Sequence, residues 1–186
     1  IEPVAEKIKE IAGLDYFGSD TDTLASVVGQ LLREAKQTLS VAESCTGGGL
    51  GEMLTTIAGS SDYFYGGVIS YDNKVKIALL DVNQNDLEQY GAVSEIVARA
   101  MAKGVKTKLG TDWGISITGI AGPGGGSEAK PVGLVYIGFA TPDGRVEAHE
   151  YRLGQQRERE TIRYISSCIA LDGLRRLLIK KLEKKL

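Results

Sequence analysis

The sequence is poor in the residues that build metal centres and disulfide frameworks. Among 186 residues there are one histidine, His149, and two cysteines, Cys45 and Cys168. Structural metal sites draw on clusters of His and Cys, and small secreted domains draw on several cysteine pairs. These shortages exclude a catalytic scheme with two histidines and predict a chain without metal or cofactor in a reducing cytoplasm. His149 has polar neighbours in a predicted strand, which predicts a surface or edge position.

Strong net charge and long apolar runs are also lacking. The 22 Lys and Arg residues nearly balance the 24 Asp and Glu residues, and the net charge is −2. This balance predicts no general attraction to nucleic acid or to an anionic membrane. No apolar run reaches the roughly 18 residues that a membrane-spanning helix needs. The basic segment 180–185 is interpreted as the solvated end of a helix, where cations favour the helix dipole, rather than as a nucleic-acid site.

The chain divides into a short leading segment and one domain. Residues 1–22 combine a short helical pattern with a turn-rich stretch over 16–20, and we interpret them as a linker or the remnant of a preceding region. The domain is predicted over residues 23–186, a length at which an α/β fold buries most of its apolar surface. The first residue is Ile1 rather than Met, and we expect the chain to be a fragment of a longer protein.

Predicted strands and helices alternate along the domain. Strands are predicted over 38–42, 68–71, 113–117, 132–140 and 145–151. Helices are predicted over 23–35, from the glycine-rich turn near 49 to 58, and over 74–80, 84–90, 95–109 and 157–182. The last two strands flank Pro142-Asp143-Gly144, a hairpin signal. The pattern predicts a three-layer α/β/α fold with a mixed, mostly parallel sheet of about five strands.

Residues that favour helix ends support three of these boundaries. Thr21 or Asp22 is the expected N-cap of the first domain helix. Ser94 is the expected N-cap of the helix over 95–109, and Gly110 fits the position just after its end.

Two glycine-rich segments follow predicted strands, at the edge where ligands bind in α/β sheets. In the segment 43–48, small residues would let a ligand approach, and the next helix would offer free N–H groups to an anion. The alternative is a plain strand-to-helix turn capped by Ser44 or Thr46. The segment 118–127 matches neither the P-loop nor the dinucleotide pattern, but successive N–H groups in it can form an anion nest. The alternative there is an exposed loop.

A serine nucleophile at Ser44 needs a base, and His149 is poorly placed for that role. The remaining option is a lysine held neutral, since lowering its pKa from about 10.4 to about 7 costs roughly 4–5 kcal/mol, which burial can supply. Lys76 follows Tyr71 by five residues at a strand-to-helix junction and is a candidate. The spacing alone does not distinguish it from the other lysines.

Six ordered blocks of sequence resemble the CinA C-terminal domain family. They are Ala42–Gly48, Ala58–Ser61, Tyr71–Lys76, Gly91–Glu95, Ser116–Gly125 and Lys130–Gly133. The resemblance covers about residues 23–182. The family is one of serine/lysine amidohydrolases, nicotinamide mononucleotide deamidases that form nicotinic acid mononucleotide and ammonia in pyridine-nucleotide salvage.

The resemblance implies a role for several residues. Ser44 is the implied nucleophile, Lys76 its general base, and Tyr71 and Thr118 polar partners that relay protons or hold the lysine. The implied substrate-binding residues are Thr46, Gly47, Gly48, Asn73, Gly119, Gly122, Pro123 and Arg159. Arg157 is the alternative to Arg159 for the substrate phosphate, because the loop after Gly154 departs from the family pattern. The resemblance also implies a homodimer, and an N-terminal domain in the full-length chain.

Two rival hypotheses remain open. The domain can be a catalytically weak one that binds a nucleotide and regulates a larger protein. Alternatively, Cys45 can replace Ser44 as nucleophile, because a helix N-terminus favours a thiolate. A lysine base predicts a rate that rises toward neutral or mildly alkaline pH.

Overall fold

The computed structural model describes residues 2–183, so Lys184 and Lys185 of the predicted basic segment lie outside the described residues. Seven α-helices, two 3-10 helices of three residues each and five strands are found in this part of the chain. The α-helices are α1 Glu2–Ala12, α2 Leu24–Ala35, α3 Gly49–Thr55, α4 Asn73–Leu80, α5 Gln84–Tyr90, α6 Glu95–Leu109 and α7 Arg159–Glu183. The strands are β1 Leu39–Glu43, β2 Phe64–Ile69, β3 Trp113–Gly119, β4 Leu134–Ala140 and β5 Val146–Arg152.

The five strands form one mixed sheet in the order β2-β1-β3-β4-β5. Strand β1 runs parallel to both β2 and β3, whereas β4 and β5 are antiparallel to their neighbours. Helices α2, α3 and α7 pack on one face of the sheet, and α4, α5 and α6 pack on the other. The predicted three-layer α/β/α fold is therefore confirmed, and the carboxyl ends of β1, β2 and β3 meet at one edge.

The predicted strand over 68–71 is wrong in its bounds. Strand β2 begins at Phe64 and ends at Ile69, so Tyr71 lies beyond the sheet. The first half of the strand was not predicted, because it contains Gly66 and Gly67 and glycine has a low strand propensity. Gly67 is needed there, since a Cβ atom at this position would lie 2.5 Å from Cγ2 of Val41 on the neighbouring strand.

Helix α6 lies close against the centre of the sheet. A Cβ atom at Gly114 of β3 would lie 2.2 Å from the carbonyl oxygen of Ala102 in α6. Two residues further along β3, the Ser116 hydroxyl donates to the Ala98 carbonyl of α6 at 2.6 Å. Ser94 is the N-cap of α6 and Gly110 follows its end with a left-handed backbone, as predicted. The small residues of β3 therefore allow α6 to pack closely on the sheet.

One predicted helix cap is wrong. The N-cap of α2 is Thr23, whose side chain forms a capping box with Ser26, rather than Thr21 or Asp22. Asp22 instead accepts a hydrogen bond from the Ser19 N–H. The buried residues of α7 are Ile162, Ser166, Ser167, Ala170, Leu171, Leu174, Arg175 and Leu178.

The leading segment contacts the domain through α7. The guanidinium group of Arg175 is buried, pairs with Asp172, and donates to the carbonyl oxygens of Leu14 and Tyr16. Helix α1 itself has no buried residue. The division of the chain at residue 22 remains a prediction.

Other sequence expectations concern the surface. His149 lies on the edge strand β5 with its side chain 52% exposed, as predicted. Both cysteines are free. Within residues 2–183, no helix combines the length and apolar character needed to cross a membrane.

Candidate active site

The candidate site lies where β1 ends, and it depends on the alternation of side chains along that strand. Val41 and Cys45 belong to the apolar cluster under α3 and α7, whereas Ala42 belongs to the cluster under α4 and α6. Ser44 follows the strand, and its N–H donates to the Ile117 carbonyl at 2.9 Å. The Ser44 side chain contacts α4 and is only 9% exposed. The strand therefore directs this hydroxyl to the face of the sheet that carries α4.

Lys76 occupies a core position of α4. Asp72 caps the helix by accepting from the Lys74 N–H, and the buried residues of α4 are Lys76 and Leu80, four positions apart. Lys76 is 1% exposed. The capped start of the helix thus turns an ionisable side chain into the interior, where an apolar one would normally lie. The sequence indicated Lys76 only as a candidate base, and its buried position is a finding of the structure.

Within the described part of the chain, the hydrogen-bond partners of the Lys76 amine are uncharged oxygen atoms. Its Nζ lies 3.2 Å from the Ser44 Oγ, 2.6 Å from the Ser70 carbonyl oxygen and 3.3 Å from the Tyr71 carbonyl oxygen. Burial lowers the pKa of Lys76 from its usual value, and the charge of Asp72 opposes this shift. No salt bridge to Lys76 is found among the described residues. The amine is therefore placed beside a serine hydroxyl in surroundings that favour its neutral form.

The N-terminus of α3 is already occupied by a carboxylate of the protein. The buried Glu43 side chain accepts hydrogen bonds from the N–H groups of Gly48 at 3.0 Å, Leu50 at 3.1 Å and Gly51 at 2.8 Å. The expectation that this helix start offers free N–H groups to an anion is wrong for these three groups, because Glu43 neutralises them internally. The segment does form a strand-to-helix turn, which was the alternative expectation. The N-cap of α3 is Gly48, however, rather than Ser44 or Thr46.

Arg159, the first residue of α7, connects two segments at the edge of the sheet. Its Nη1 donates to the Gly122 carbonyl at 2.7 Å, and its Nη2 donates to the Tyr71 hydroxyl at 3.0 Å. Arg157 instead donates to the Leu153 carbonyl at 2.6 Å within its own loop. Of the two arginines, Arg159 is therefore the one that the fold brings to the strand ends.

The structure separates two of the residues implied as partners of the lysine. Tyr71 contacts Lys76 through its backbone carbonyl, while its side chain is 62% exposed and reaches Arg159. Thr118 is buried on β3, and its hydroxyl donates to the Ala92 carbonyl at 2.9 Å rather than to the lysine. The proton-relay roles of both residues remain predictions.

Most of the residues expected to bind substrate lie in three segments near the strand ends. Thr46 and Gly48 lie in the turn beside Ser44, and Gly47 is exposed there. Gly119 ends β3, next to the loop that carries Gly122 and the exposed Pro123. Asn73 is exposed at the start of α4.

Three contributions to the site were missed by sequence reasoning. These are the Glu43 carboxylate under α3, the Ser70 carbonyl at the Lys76 amine, and Arg163, which donates to the Thr46 carbonyl from Nε at 3.2 Å and from Nη2 at 2.7 Å. Arg163 carried a signal, because it lies four residues after Arg159 and shares its face of a helix. A backbone carbonyl carries no such signal, since every residue has one.

Cys45 differs from its neighbour Ser44 in its surroundings. Burial raises the pKa of the Cys45 thiol to about 12. A thiolate is therefore scarce at neutral pH, which disfavours the cysteine as nucleophile. Within residues 2–183, no group of three or more His, Cys, Asp or Glu side chains is arranged to hold a metal ion.

Comparisons with known proteins agree with this fold. The model of the CinA C-terminal domain matches residues 21–178. A CinA-like protein of Microcystis aeruginosa is 73% identical over 179 residues, which are 96% of this chain and 43% of that protein. A CinA-like protein of Synechocystis sp. is 64% identical over 96% of this chain and 43% of its own length. The chain thus spans less than half the length of these relatives.

Solved structures give the same result. The competence/damage inducible protein CihA from Agrobacterium tumefaciens superposes with a TM-score of 0.81 at 39% identity, over 87% of this chain and 98% of that one. A CinA superfamily protein from Escherichia coli has a TM-score of 0.78 at 31% identity, over 90% of this chain and 98% of its own.

Proposed function

Since the chain belongs to the CinA C-terminal domain family, we propose that it is an amidohydrolase that converts nicotinamide mononucleotide to nicotinic acid mononucleotide and ammonia. The observation that carries the proposal is the buried Lys76 amine 3.2 Å from the Ser44 hydroxyl. The remaining length of the longer relatives lies outside this proposal.

The contacts of Lys76 support its role as the base. A neutral amine has two N–H donors and one lone pair. The carbonyl oxygens of Ser70 and Tyr71 accept from the amine. When the amine is neutral, these two acceptors occupy its two donors, and the lone pair is left for the Ser44 hydroxyl proton. Since burial lowers the pKa of Lys76, the neutral form is more accessible than in a lysine exposed to water.

The proposed reaction has two halves. In the first, Lys76 takes the Ser44 proton while the Ser44 Oγ attacks the carboxamide carbon, and a tetrahedral intermediate forms. Lys76 then returns the proton to the amide nitrogen and the C–N bond breaks. Ammonia departs, and the acyl group remains bound to Ser44 as an ester. In the second half, Lys76 deprotonates a water molecule that attacks this ester. The C–O bond to Ser44 then breaks as Lys76 returns the proton to the Ser44 Oγ, so the nucleotide acid leaves and both the Ser44 hydroxyl and the neutral amine are restored.

A backbone N–H group near Ser44 can stabilise the oxyanion of the intermediate. The Ser44 N–H is already used in the bond to the Ile117 carbonyl. Among the described residues, no acceptor is found for the Thr46 N–H, whereas the Cys45 N–H faces its own thiol. A free donor in the turn of the nucleophile is the group that acyl transfer requires, so we assign the Thr46 N–H to the oxyanion.

Arg159 is the proposed contact of the substrate phosphate. A guanidinium has five N–H donors, and the protein uses those on Nη1 and Nη2 that face Gly122 and Tyr71. The remaining donors suit a phosphate oxygen. The expected contributions of Gly47, Asn73 and Pro123 belong to this proposal, as do a cytoplasmic setting, a homodimer and a reaction without metal.

Ammonia release tests the proposal. Wild type, Ser44→Ala and Lys76→Met are supplied with nicotinamide mononucleotide in the presence of a chelator. We expect turnover in the wild type and a loss of at least about 10³-fold in each variant, because nucleophile and base act as a unit. Lys74→Met is the matched control, since Lys74 is an exposed lysine two residues away in the same helix.

Two outcomes would contradict the proposal. Equal losses in the Lys74 and Lys76 variants would remove the specific role of the buried amine. A wild type that releases no ammonia, but is stabilised against heat by the nucleotide, would favour the binding and regulatory domain instead.

A further inference from the structure

The turn that carries Ser44 is tied together by two backbone hydrogen bonds. The Gly47 N–H donates to the Ser44 carbonyl at 3.2 Å, and the Gly49 N–H donates to the Thr46 carbonyl at 3.2 Å. Gly47 and Gly48 have φ angles of +59° and +101°. Only glycine adopts such angles without strain, so the turn depends on both residues.

Arg163 binds this turn from α7. Its Nη2 and Nε atoms both donate to the Thr46 carbonyl, at 2.7 and 3.2 Å. Within residues 2–183 no carboxylate forms a salt bridge with Arg163. The guanidinium group is thus held on a neutral carbonyl in the turn of the nucleophile rather than on an acid.

The contact reaches the nucleophile through one peptide unit. The carbonyl of Thr46 and the N–H of Gly47 belong to the same peptide group, and that N–H donates to the carbonyl of Ser44. A charged donor on the carbonyl polarises the peptide and strengthens the bond made by its N–H. Arg163, the peptide after Thr46, and the Ser44 carbonyl therefore form a continuous chain of hydrogen bonds.

We propose that Arg163 is a positioning residue for Ser44, which fixes the turn so that the hydroxyl stays within reach of the Lys76 amine. It does not contact the reacting atoms. The inference rests on the proposed function, because it assigns Arg163 a part in the chemistry of that site. It differs from the role of Arg159, which contacts Tyr71 and the loop at Gly122.

The test uses Arg163→Met, which keeps the stem without donors, and Arg163→Lys, which keeps the charge and some donors. We expect Arg163→Met to lower kcat for ammonia release by about 10- to 100-fold with little change in KM, since a misplaced nucleophile slows chemistry rather than binding. Arg163→Lys should recover part of the loss. A loss of packing alone would not be repaired by lysine.

Arg33→Met is the matched control. Arg33 also donates to backbone carbonyls, those of Ala58 at 3.2 Å and Gly59 at 3.0 Å, in the loop after the opposite end of α3. We expect this variant to keep its kcat. If Arg163→Met kept the kcat of the wild type, or if Arg33→Met lost as much, the positioning role would be overturned.

A second measurement separates this inference from the proposed function. The rate at which a fluorophosphonate labels Ser44, followed by peptide mass, reports the reactivity of the hydroxyl without nicotinamide mononucleotide. Slower labelling of Arg163→Met than of wild type supports the positioning role even if ammonia is never released. Equal labelling of the two proteins contradicts it even if the wild type is an active deamidase. A wild type that is neither labelled nor active would overturn both proposals.

Discussion

The two faces of the chain at the end of β1 are used for different purposes. On the α3 side, Glu43 and Cys45 are buried among N–H groups and apolar side chains. On the α4 side, the Ser44 Oγ lies 3.2 Å from the Lys76 Nζ. Of these consecutive side chains, Glu43 accepts hydrogen bonds from backbone N–H groups, Cys45 packs in the core, and Ser44 is the proposed nucleophile. The comparison teaches that glycine content alone does not locate an anion pocket, because the protein can supply its own anion.

The largest expected effect is on the reactive face. Because Lys76 must be neutral to accept the Ser44 proton, kcat/KM should rise about tenfold per pH unit below the lowered pKa of Lys76 and level off above it. A pH series of ammonia release measures this. A profile that is flat from about pH 6 to 9 for the chemical step would contradict a lysine base.

The next effect is on the structural face. Glu43→Gln replaces one acceptor oxygen with an N–H₂ group that faces backbone donors, so we expect the free energy of unfolding to fall by about 2–3 kcal/mol. Chemical denaturation measures the change. Glu52→Gln is the control, since Glu52 lies in the first turn of the same helix but, among the described residues, its side chain accepts no hydrogen bond from the N-terminal N–H groups. Equal stability of the two variants would mean that Glu43 does not hold α3.

A smaller effect distinguishes the two glycine-rich segments. Gly48 has a φ angle of +101°, and a Cβ atom there would lie 3.3 Å from Ile69 Cδ1, whereas a Cβ atom at Gly124 would meet nothing within 4 Å. Gly48→Ala should cost about 1–2 kcal/mol of stability, and Gly124→Ala should cost less than about 0.5 kcal/mol. Thermal unfolding compares them. A reversed order would show that the loop after β3, rather than the turn after β1, is the constrained segment.

The smallest effect concerns stability against pH. The pKa of Lys76 is lower in the folded than in the unfolded chain, so the unfolded chain binds more protons between these two values. Stability should therefore fall as the pH falls through this window. Lys76→Met should remove that part of the dependence. If the unfolding curves of wild type and variant keep a constant separation at every pH, Lys76 does not change its protonation on folding.

Cys45→Ala tests whether the cysteine is a core residue on the α3 side of the strand or the nucleophile. We expect ammonia release to persist, because the thiol, with its pKa of about 12, lies in the apolar cluster under α3. A loss of turnover equal to that of Ser44→Ala, in a folded variant, would transfer the nucleophile to the thiol.

The layers of the fold could be predicted because each element carries a local signal. The N-cap Ser94, the following glycine Gly110 and the periodic apolar residues between them define α6, and the structure has its bounds as predicted. Strand β2 could be predicted only in part, because Gly67 serves close packing against Val41 of β1, and Gly66 has a φ angle of +123°, so neither position favours a typical strand residue.

The site could be predicted as a pair of residues but not as an environment. The resemblance indicated Ser44 and Lys76, which the fold brings within 3.2 Å. It did not indicate that the hydroxyl of Thr118 bonds to Ala92, or that Glu43 occupies the start of α3. These contacts join segments distant in sequence or depend on side-chain direction, so no local pattern encodes them.

The most direct test of the central claim is an NMR titration of the two lysines of α4, with ¹³C in their side chains and Lys76→Met to assign the buried one. We predict that Lys76 loses its proton at a lower pH than an unperturbed lysine, whose pKa is about 10.4, because burial disfavours the ammonium form. A Lys76 that titrates at that value, or at a higher pH, would contradict a neutral lysine as the base for Ser44.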